Sequence, residues 1–382
     1  MLKRSAIQPR PSLWALTALF ALAAAAPLAL DPGFLNTRQA GDSPFLLFRL
    51  HQLYTALSDG VFPVRWMPDA AFGLGYPFFH YYAALPYYLA ALFHALGASY
   101  VLSLKLTVVA GAIVASGGTF GWMRAITGRR SAAIRAAGAY SCGPMPAGIV
   151  FLRGRAGGGV RGLSGDALSL WALARAAERP ARRRLAAVGI AYGTLLVTHN
   201  ISALLFSPFA ILYALACVFG APRHIAEPAA APPPSRRIRL RRAAILAAAG
   251  MLGLALAAWF WVPALAEQNA VQLDDQTSGY FFYGGHFRGS DLVQGSLAFD
   301  YDVFSPQANP FSMGLAQAIL VALGAGALIV RLARRRTWAR DGAILAGLAL
   351  STWMITPGSE PVWAHLPLLE YTQFPWRFLS VQ

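Results

Sequence analysis

The chain is poor in charge, poorer in acid, and almost without cysteine. Only 13% of its 382 residues are charged, while 57% are apolar without counting 36 glycines. An average soluble domain carries about 25% charged residues, so this balance excludes a soluble globular enzyme. The two cysteines, Cys142 and Cys217, fall in apolar stretches and supply neither a disulfide framework nor a zinc-binding spacing. The seven histidines are scattered, with no HxH or HExxH pattern and no His/Cys pairing. The phosphate loop of nucleotide hydrolases, the nucleophile elbow and the dinucleotide fingerprint are missing as well. No cofactor is expected; only Asp274-Asp275 and Asp300/Asp302 offer a divalent ion adjacent acids, and in a polar loop such acids are usually just solvated.

The charge that is present is lopsided: 32 Lys+Arg against 16 Asp+Glu leave +16. A nucleic-acid binder carries such an excess on a polar surface. Here arginine comes in short runs between long apolar stretches, so nucleic acid is not an expected partner and membrane lipid is. Stretches long enough to cross about 30 Å of hydrocarbon lie near 13–30, 101–122, 132–151, 201–219, 243–262 and 311–331. Shorter ones lie near 163–177, 185–199 and 342–356. Lys3, Arg4 and Arg10 before the first stretch resemble a secretory signal, but its length predicts an uncleaved first span with a cytoplasmic N-terminus.

Arginine clusters occupy 124–135, 175–184, 223–242 and 331–340, and the positive-inside rule assigns them to the cytoplasm. Acids gather in 31–69 and in 267–302, which are then outer loops. The stretch 79–97 is unusually aromatic, and aromatic rings with polar tips prefer the headgroup level over the hydrocarbon centre. If it crossed the membrane, the cluster at 124–135 would fall outside. The pattern therefore predicts an all-α integral membrane protein of nine spans, with 79–97 an interfacial or re-entrant helix. The exception is Arg153, Arg155 and Arg161, which then fall outside; the weakest span is 163–177, which carries Asp166. The chain reads as one polytopic domain over 1–382, with outer loops at about 31–100 and 264–310 and a Pro-rich, basic cytoplasmic linker at about 220–242.

Scarce acids are informative. Asp42 precedes Ser43-Pro44, a helix-start signal, and Phe45, Leu46, Phe48, Leu50, Leu53 and Tyr54 then form an apolar side suited to the interface. Asp42 is equally well a simple N-cap. Arg65 is the fixed cation of the Gly- and Pro-rich stretch 60–82 and pairs with a phosphate or with Asp69. His199-Asn200 ends one span and opens the next, as a cap or as a polar group directed at an outer cavity. Glu267 follows Trp259, Trp261 and Pro263 close to hydrocarbon, where an acid is costly unless paired or hydrated. Arg377 lies between aromatic residues in Phe374-Pro375-Trp376-Arg377-Phe378.

Gly41-Asp42, Phe62-Pro63-Val64-Arg65-Trp66, Gly73-Leu74-Gly75-Tyr76-Pro77, His199-Asn200, Trp261-Val262-Pro263-Ala264-Leu265 with Glu267, and Pro375-Trp376-Arg377 resemble motifs of bacterial membrane proteins of the GT-C glycosyltransferase superfamily. More closely, they resemble the membrane proteins labelled 6-pyruvoyl-tetrahydropterin synthase-related, a label that names no activity here because no histidine zinc site is present. The resemblance covers most of the chain. It implies a catalytic acid in the first outer loop, Asp42, as general base, and a polyprenyl-phosphate-linked sugar as donor, with inversion at the anomeric carbon. It implies substrate binding by Arg65, Asp69, Tyr76, His199, Glu267 and Arg377, with Arg65, His199 and Arg377 facing the departing phosphate. The expected place is the outer face of the bacterial inner membrane. The chain departs from its look-alikes in two ways. No acid follows Arg153-Gly154 before Asp166, and the look-alikes continue past the point matching Gln382, so the chain is expected to be incomplete at its C-terminus. A transporter or lipid flippase, or a non-catalytic envelope assembly protein on the same scaffold, are the alternatives. Ionisable residues at the bilayer midplane are the mark of the transporter, and here the acids lie mostly in outer loops.

Overall fold

A computed structural model of the chain describes residues 11–30, 33, 43–142, 159–178, 181–220, 234–272, 275, 277–300, 311–334 and 338–381. The described residues are helical, with two isolated β-bridges, Met67 with Tyr76 and Val293 with Met313. In chain order the α-helices are α1 (Pro11–Leu30), α2 (Ser43–Ser58), α3 (Ala70–Gly73), α4 (Phe78–Tyr81), α5 (Leu85–Ala95), α6 (Tyr100–Thr127), α7 (Arg130–Ser141), α8 (Gly159–Glu178), α9 (Arg182–Thr198), α10 (Asn200–Phe219), α11 (Arg236–Leu256), α12 (Ala258–Ala266), α13 (Leu315–Ala333), α14 (Trp338–Trp353) and α15 (Glu360–His365).

Among the described residues four helices, α1, α6, α10 and α13, are long and apolar enough to cross a membrane, and α11 with α12 qualifies as one span bent by 69°. The hydropathy pattern predicts nine. Each of the other four stretches does contain a helix, but α7 is described over 12 residues and α14 over 16. α8 and α9 carry Arg175, Glu178 and Arg182–Arg184. Length and composition thus support four or five spans. The aromatic stretch 79–97 forms α4 and α5 instead of one helix; α5 has 11 residues, about 16 Å at 1.5 Å per residue, roughly half the hydrocarbon thickness.

The bundle is built around α6, which packs along α1, α7 and α8, while α9 packs along α8 and α11. Small residues permit these approaches, as helices in lipid need close van der Waals contact. A Cβ on Gly121 of α6 would lie 2.5 Å from the Trp171 indole of α8. The first loop is folded onto this bundle. Leu46, Leu50 and Leu53, spaced i, i+4, i+7 on α2, are buried with Phe79, Tyr87 and Ala90 and with Leu104 and Val108 of α6. Phe45, the first residue of the expected apolar side, is exposed instead. The second loop and the C-terminal residues make another core, in which Trp363, Phe374, Trp376 and Phe378 pack with Tyr283 and with Leu205 and Phe209 of α10.

Candidate active site

One proline and a helix break set the local geometry. α11 ends at Leu256, leaving carbonyls without helical donors, and the Trp261 indole donates to Leu254 O at 2.9 Å. Within α12, Pro263 has no N–H, so the carbonyl four residues earlier, Trp259 O, loses its helical donor. Arg65 supplies the replacement: its Nη2 donates to Trp259 O at 2.8 Å. Its Nη1 faces His80 Nδ1 at 3.4 Å. The opposite nitrogen of that ring, Nε2, lies 3.3 Å from a Glu267 carboxylate oxygen, an ion-pair distance without hydrogen-bond alignment. Tyr81 Oη donates to the Glu267 carbonyl at 2.7 Å. Desolvation, and secondarily the Glu267 carboxylate, raise the Tyr81 phenol above its ordinary pKa, so it stays a neutral donor. Asn200 Nδ2 donates to Tyr81 O at 3.1 Å. Arg65, His80, Tyr81, Glu267 and Asn200 together clasp the first loop to α10 and α12.

Beside the clasp lies a cavity of about 600 Å³. Its walls come from α2 (Leu46, Arg49), the α4 region (Phe78, Tyr82), α9 (Leu196), α10 (Ile201, Leu204), α12 (Phe260, Trp261, Leu265) and the C-terminal segment (Leu368, Gln373, Arg377). Among the described residues no carboxylate lines it, and the cationic side chains that do are Arg49 and Arg377, with His199 on the same wall as Asn200. Arg49 lies over the Phe78 ring, 4.0 Å from its centroid. Arg377 donates through Nη1 to Thr372 O at 2.6 Å and sits 4.9 Å from the Phe374 centroid. His199 caps α10: its Nδ1 accepts from Ser202 N at 3.1 Å and contacts Ser202 Oγ at 2.8 Å. An accepting Nδ1 places the neutral ring's hydrogen on Nε2. Two lining residues, Leu368 and Gln373, have φ of 67° and 64°, left-handed values that are costly for residues with a Cβ and that concentrate at functional sites.

The structure thus sorts the residues singled out in the sequence. His199 and Arg377 come together in the cavity wall. Arg65 and Glu267 belong to the clasp. Asp69 does not pair with Arg65: its Oδ2 accepts from Gln52 Nε2 at 2.6 Å and its N–H donates to Gln52 Oε1 at 2.9 Å. Tyr76 pairs through its backbone with Met67, its ring half-exposed. Asp42 lies outside the described residues, directly before α2. Asp274, Asp302, Arg153 and Arg155 also lie outside them. Among the described residues no group of three or more His, Cys, Asp or Glu is placed to hold a metal ion. Sequence reasoning misses Arg49 and His80. For Arg49 the signal is present, because position 49 shares the α2 face of Leu46, Leu50 and Leu53 and so interrupts an apolar stripe with a cation. His80 carries no local signal.

No family model and no curated protein matches the chain. Solved structures do match in fold. The apo oligosaccharyltransferase of Archaeoglobus fulgidus aligns with a TM-score of 0.52 and 15% identity over 97% of this chain and 50% of that one. The archaeal oligosaccharyltransferase AglB of the same organism, in complex with an inhibitory peptide and a dolichol-phosphate, aligns with a TM-score of 0.50 and 13% identity over the same shares. The chain spans about half the length of these proteins. At such identity the likeness is one of fold alone: the helical arrangement of the described residues is similar to that of an archaeal oligosaccharyltransferase.

Proposed function

We propose that the protein is a membrane glycosyltransferase that moves a sugar from a polyprenyl-phosphate donor to an acceptor at the outer face of the bacterial inner membrane. Its closer kinship with the 6-pyruvoyl-tetrahydropterin synthase-related membrane proteins, its nine spans and its cytoplasmic N-terminus are parts of the same proposal. The observation that carries it is a cavity with apolar walls and two guanidinium groups among its described lining residues, Arg49 and Arg377, in a GT-C-like fold. Apolar walls accept an isoprenoid chain, and guanidinium groups match a phosphate in charge and geometry.

In the proposed reaction Asp42 takes the proton from the acceptor as that group attacks the anomeric carbon. The bond from this carbon to the phosphate oxygen breaks, its electron pair passing to the phosphate, and configuration inverts. Arg49 and Arg377 stabilise the charge that develops on the leaving group, and His199 offers its Nε2–H to the same site. The described lining residues include no carboxylate to serve as base. Asp42 suits that need because it shortly precedes Leu46, a lining residue, in the chain.

The test is turnover of a radiolabelled polyprenyl-phosphate sugar by the reconstituted chain. Sugar should appear on an acceptor, and Asp42→Asn should abolish transfer with membrane abundance unchanged. Full activity in Asp42→Asn removes that residue from the mechanism. Uptake into vesicles without bond cleavage overturns the enzyme in favour of a transporter.

A further inference from the structure

Residues 61–76 form a hairpin that contributes none of the cavity's described lining and joins the clasp through Arg65 alone, in its first arm. Met67 and Tyr76 exchange both backbone hydrogen bonds, at 2.9 and 3.0 Å, and Gly75 N donates to Ala70 O at 2.9 Å. Gly75 has a φ of 85°, and a Cβ there would lie 2.3 Å from Trp66 Nε1, so the indole sits against a position that only glycine leaves open. At the tip, Ala71 and Phe72 have φ of 51° and 60°, which turns the chain tightly and projects the Phe72 ring away from the body. Phe72 is fully exposed, Leu74 is 84% exposed and Phe62 75%. An ordered, strained tip that shows its apolar side chains to solvent is unstable against collapse unless something outside the chain covers it.

We propose that this hairpin inserts into the membrane, with Phe72 and Leu74 entering the boundary between headgroups and acyl chains. Three observations select lipid as the occupant. The first is position. Arg65, in the hairpin's first arm, is hydrogen-bonded to Trp259 O, within the bent apolar span formed by α11 and α12. The hairpin is therefore held directly against that apolar segment and not on a part of the chain remote from it. The second is charge. The hairpin holds two charged side chains, Arg65 and Asp69. Arg65 is half-buried and engaged by Trp259 O and His80, and Asp69, though exposed, is hydrogen-bonded to Gln52 at the base, so the tip beyond them, residues 70–76, carries no charge. The third is composition: Trp66 and Tyr76 are the residue types that concentrate at the headgroup level, and Phe62, Phe72 and Leu74 suit the apolar side that enters it. A polypeptide partner of the tip, residues 70–76, would find no charge there to steer its approach.

The test uses the full chain with Cys142→Ala and Cys217→Ala, carrying Phe72→Cys or Leu74→Cys labelled with an environment-sensitive dye. Both tip side chains are too exposed to contribute to packing, and the two positions read the same tip if one variant fails to accumulate. The protein is reconstituted in vesicles of phosphatidylethanolamine and phosphatidylglycerol containing nitroxide on the upper acyl chain. The expected result is blue-shifted emission, quenching by the nitroxide lipid, and loss of quenching by aqueous iodide. A dye quenched by iodide and indifferent to the nitroxide at both positions overturns the proposal. A dye shielded from iodide only after a soluble protein is added overturns it too, and assigns the tip to a polypeptide partner.

Discussion

The bond between Arg65 and the proline-orphaned carbonyl of Trp259 makes a quantitative prediction. In Arg65→Ala the carbonyl loses both its helical donor, removed by Pro263, and its side-chain donor. A hydrogen bond from a charged group contributes about 1.5–3 kcal/mol. Arg65 is half-buried, so solvent screening places the loss near the lower end, about 2 kcal/mol. That corresponds to an opening equilibrium raised about 30-fold. The readout is hydrogen exchange of the 61–82 backbone in nanodiscs, where the Met67 and Tyr76 amides report the hairpin and the Tyr82 amide, bonded to Phe78 O at 2.9 Å, reports its neighbour. The decisive comparison is the double variant. Pro263→Ala returns an N–H to the helix, so Trp259 O has a donor again and Arg65→Ala should cost at least about 1 kcal/mol less in that background. Equal acceleration of exchange by Arg65→Ala with and without Pro263→Ala would refute the reasoning, because Arg65 would then act through contacts other than the orphaned carbonyl.

The cavity and the bundle yield further expectations. Arg377→Ala should lower sugar transfer by about 100-fold, the usual scale for losing one donor to developing charge, while Arg377→Lys recovers only part because a single ammonium cannot match a planar fork; turnover of the reconstituted enzyme measures both. Gly121→Ala drives a methyl group into the Trp171 indole, and overpacking of this kind costs about 1–3 kcal/mol. Thermal unfolding in detergent should show the loss, and Trp171→Leu in the same chain should restore most of it.

Helix positions are legible in the sequence because they depend on signals a few residues apart. Ser43-Pro44 opens α2, and the i, i+4, i+7 spacing of Leu46, Leu50 and Leu53 selects its buried face. The parity of the arginine clusters argues against a span at 79–97, and the chain there breaks into α4 and α5. Apolarity alone is a poorer guide to span number. α8 and α9 are helices with charged or short windows, and whether such a helix crosses a bilayer depends on the neighbours that cover its polar groups, not on its own composition.

The pairing of side chains is not legible at all. Asp69 lies four residues from Arg65, yet its partner is Gln52, on the buried side of α2. Arg65 bonds to a carbonyl 194 positions away. Pro263 announces in the sequence that one carbonyl lacks its donor, but nothing local says which side chain will reach it.

Composition, charge asymmetry and helical period are enough to make this chain a helical membrane protein with two acid-bearing loops, since those properties follow from hydrocarbon thickness and backbone geometry acting on neighbouring residues. The cavity is different in kind. Arg49, His199 and Arg377 meet because α2, the start of α10 and the C-terminal segment contribute walls to one cavity together with α12, and packing at that range is set by shape and by orphaned hydrogen-bond groups that no local window contains.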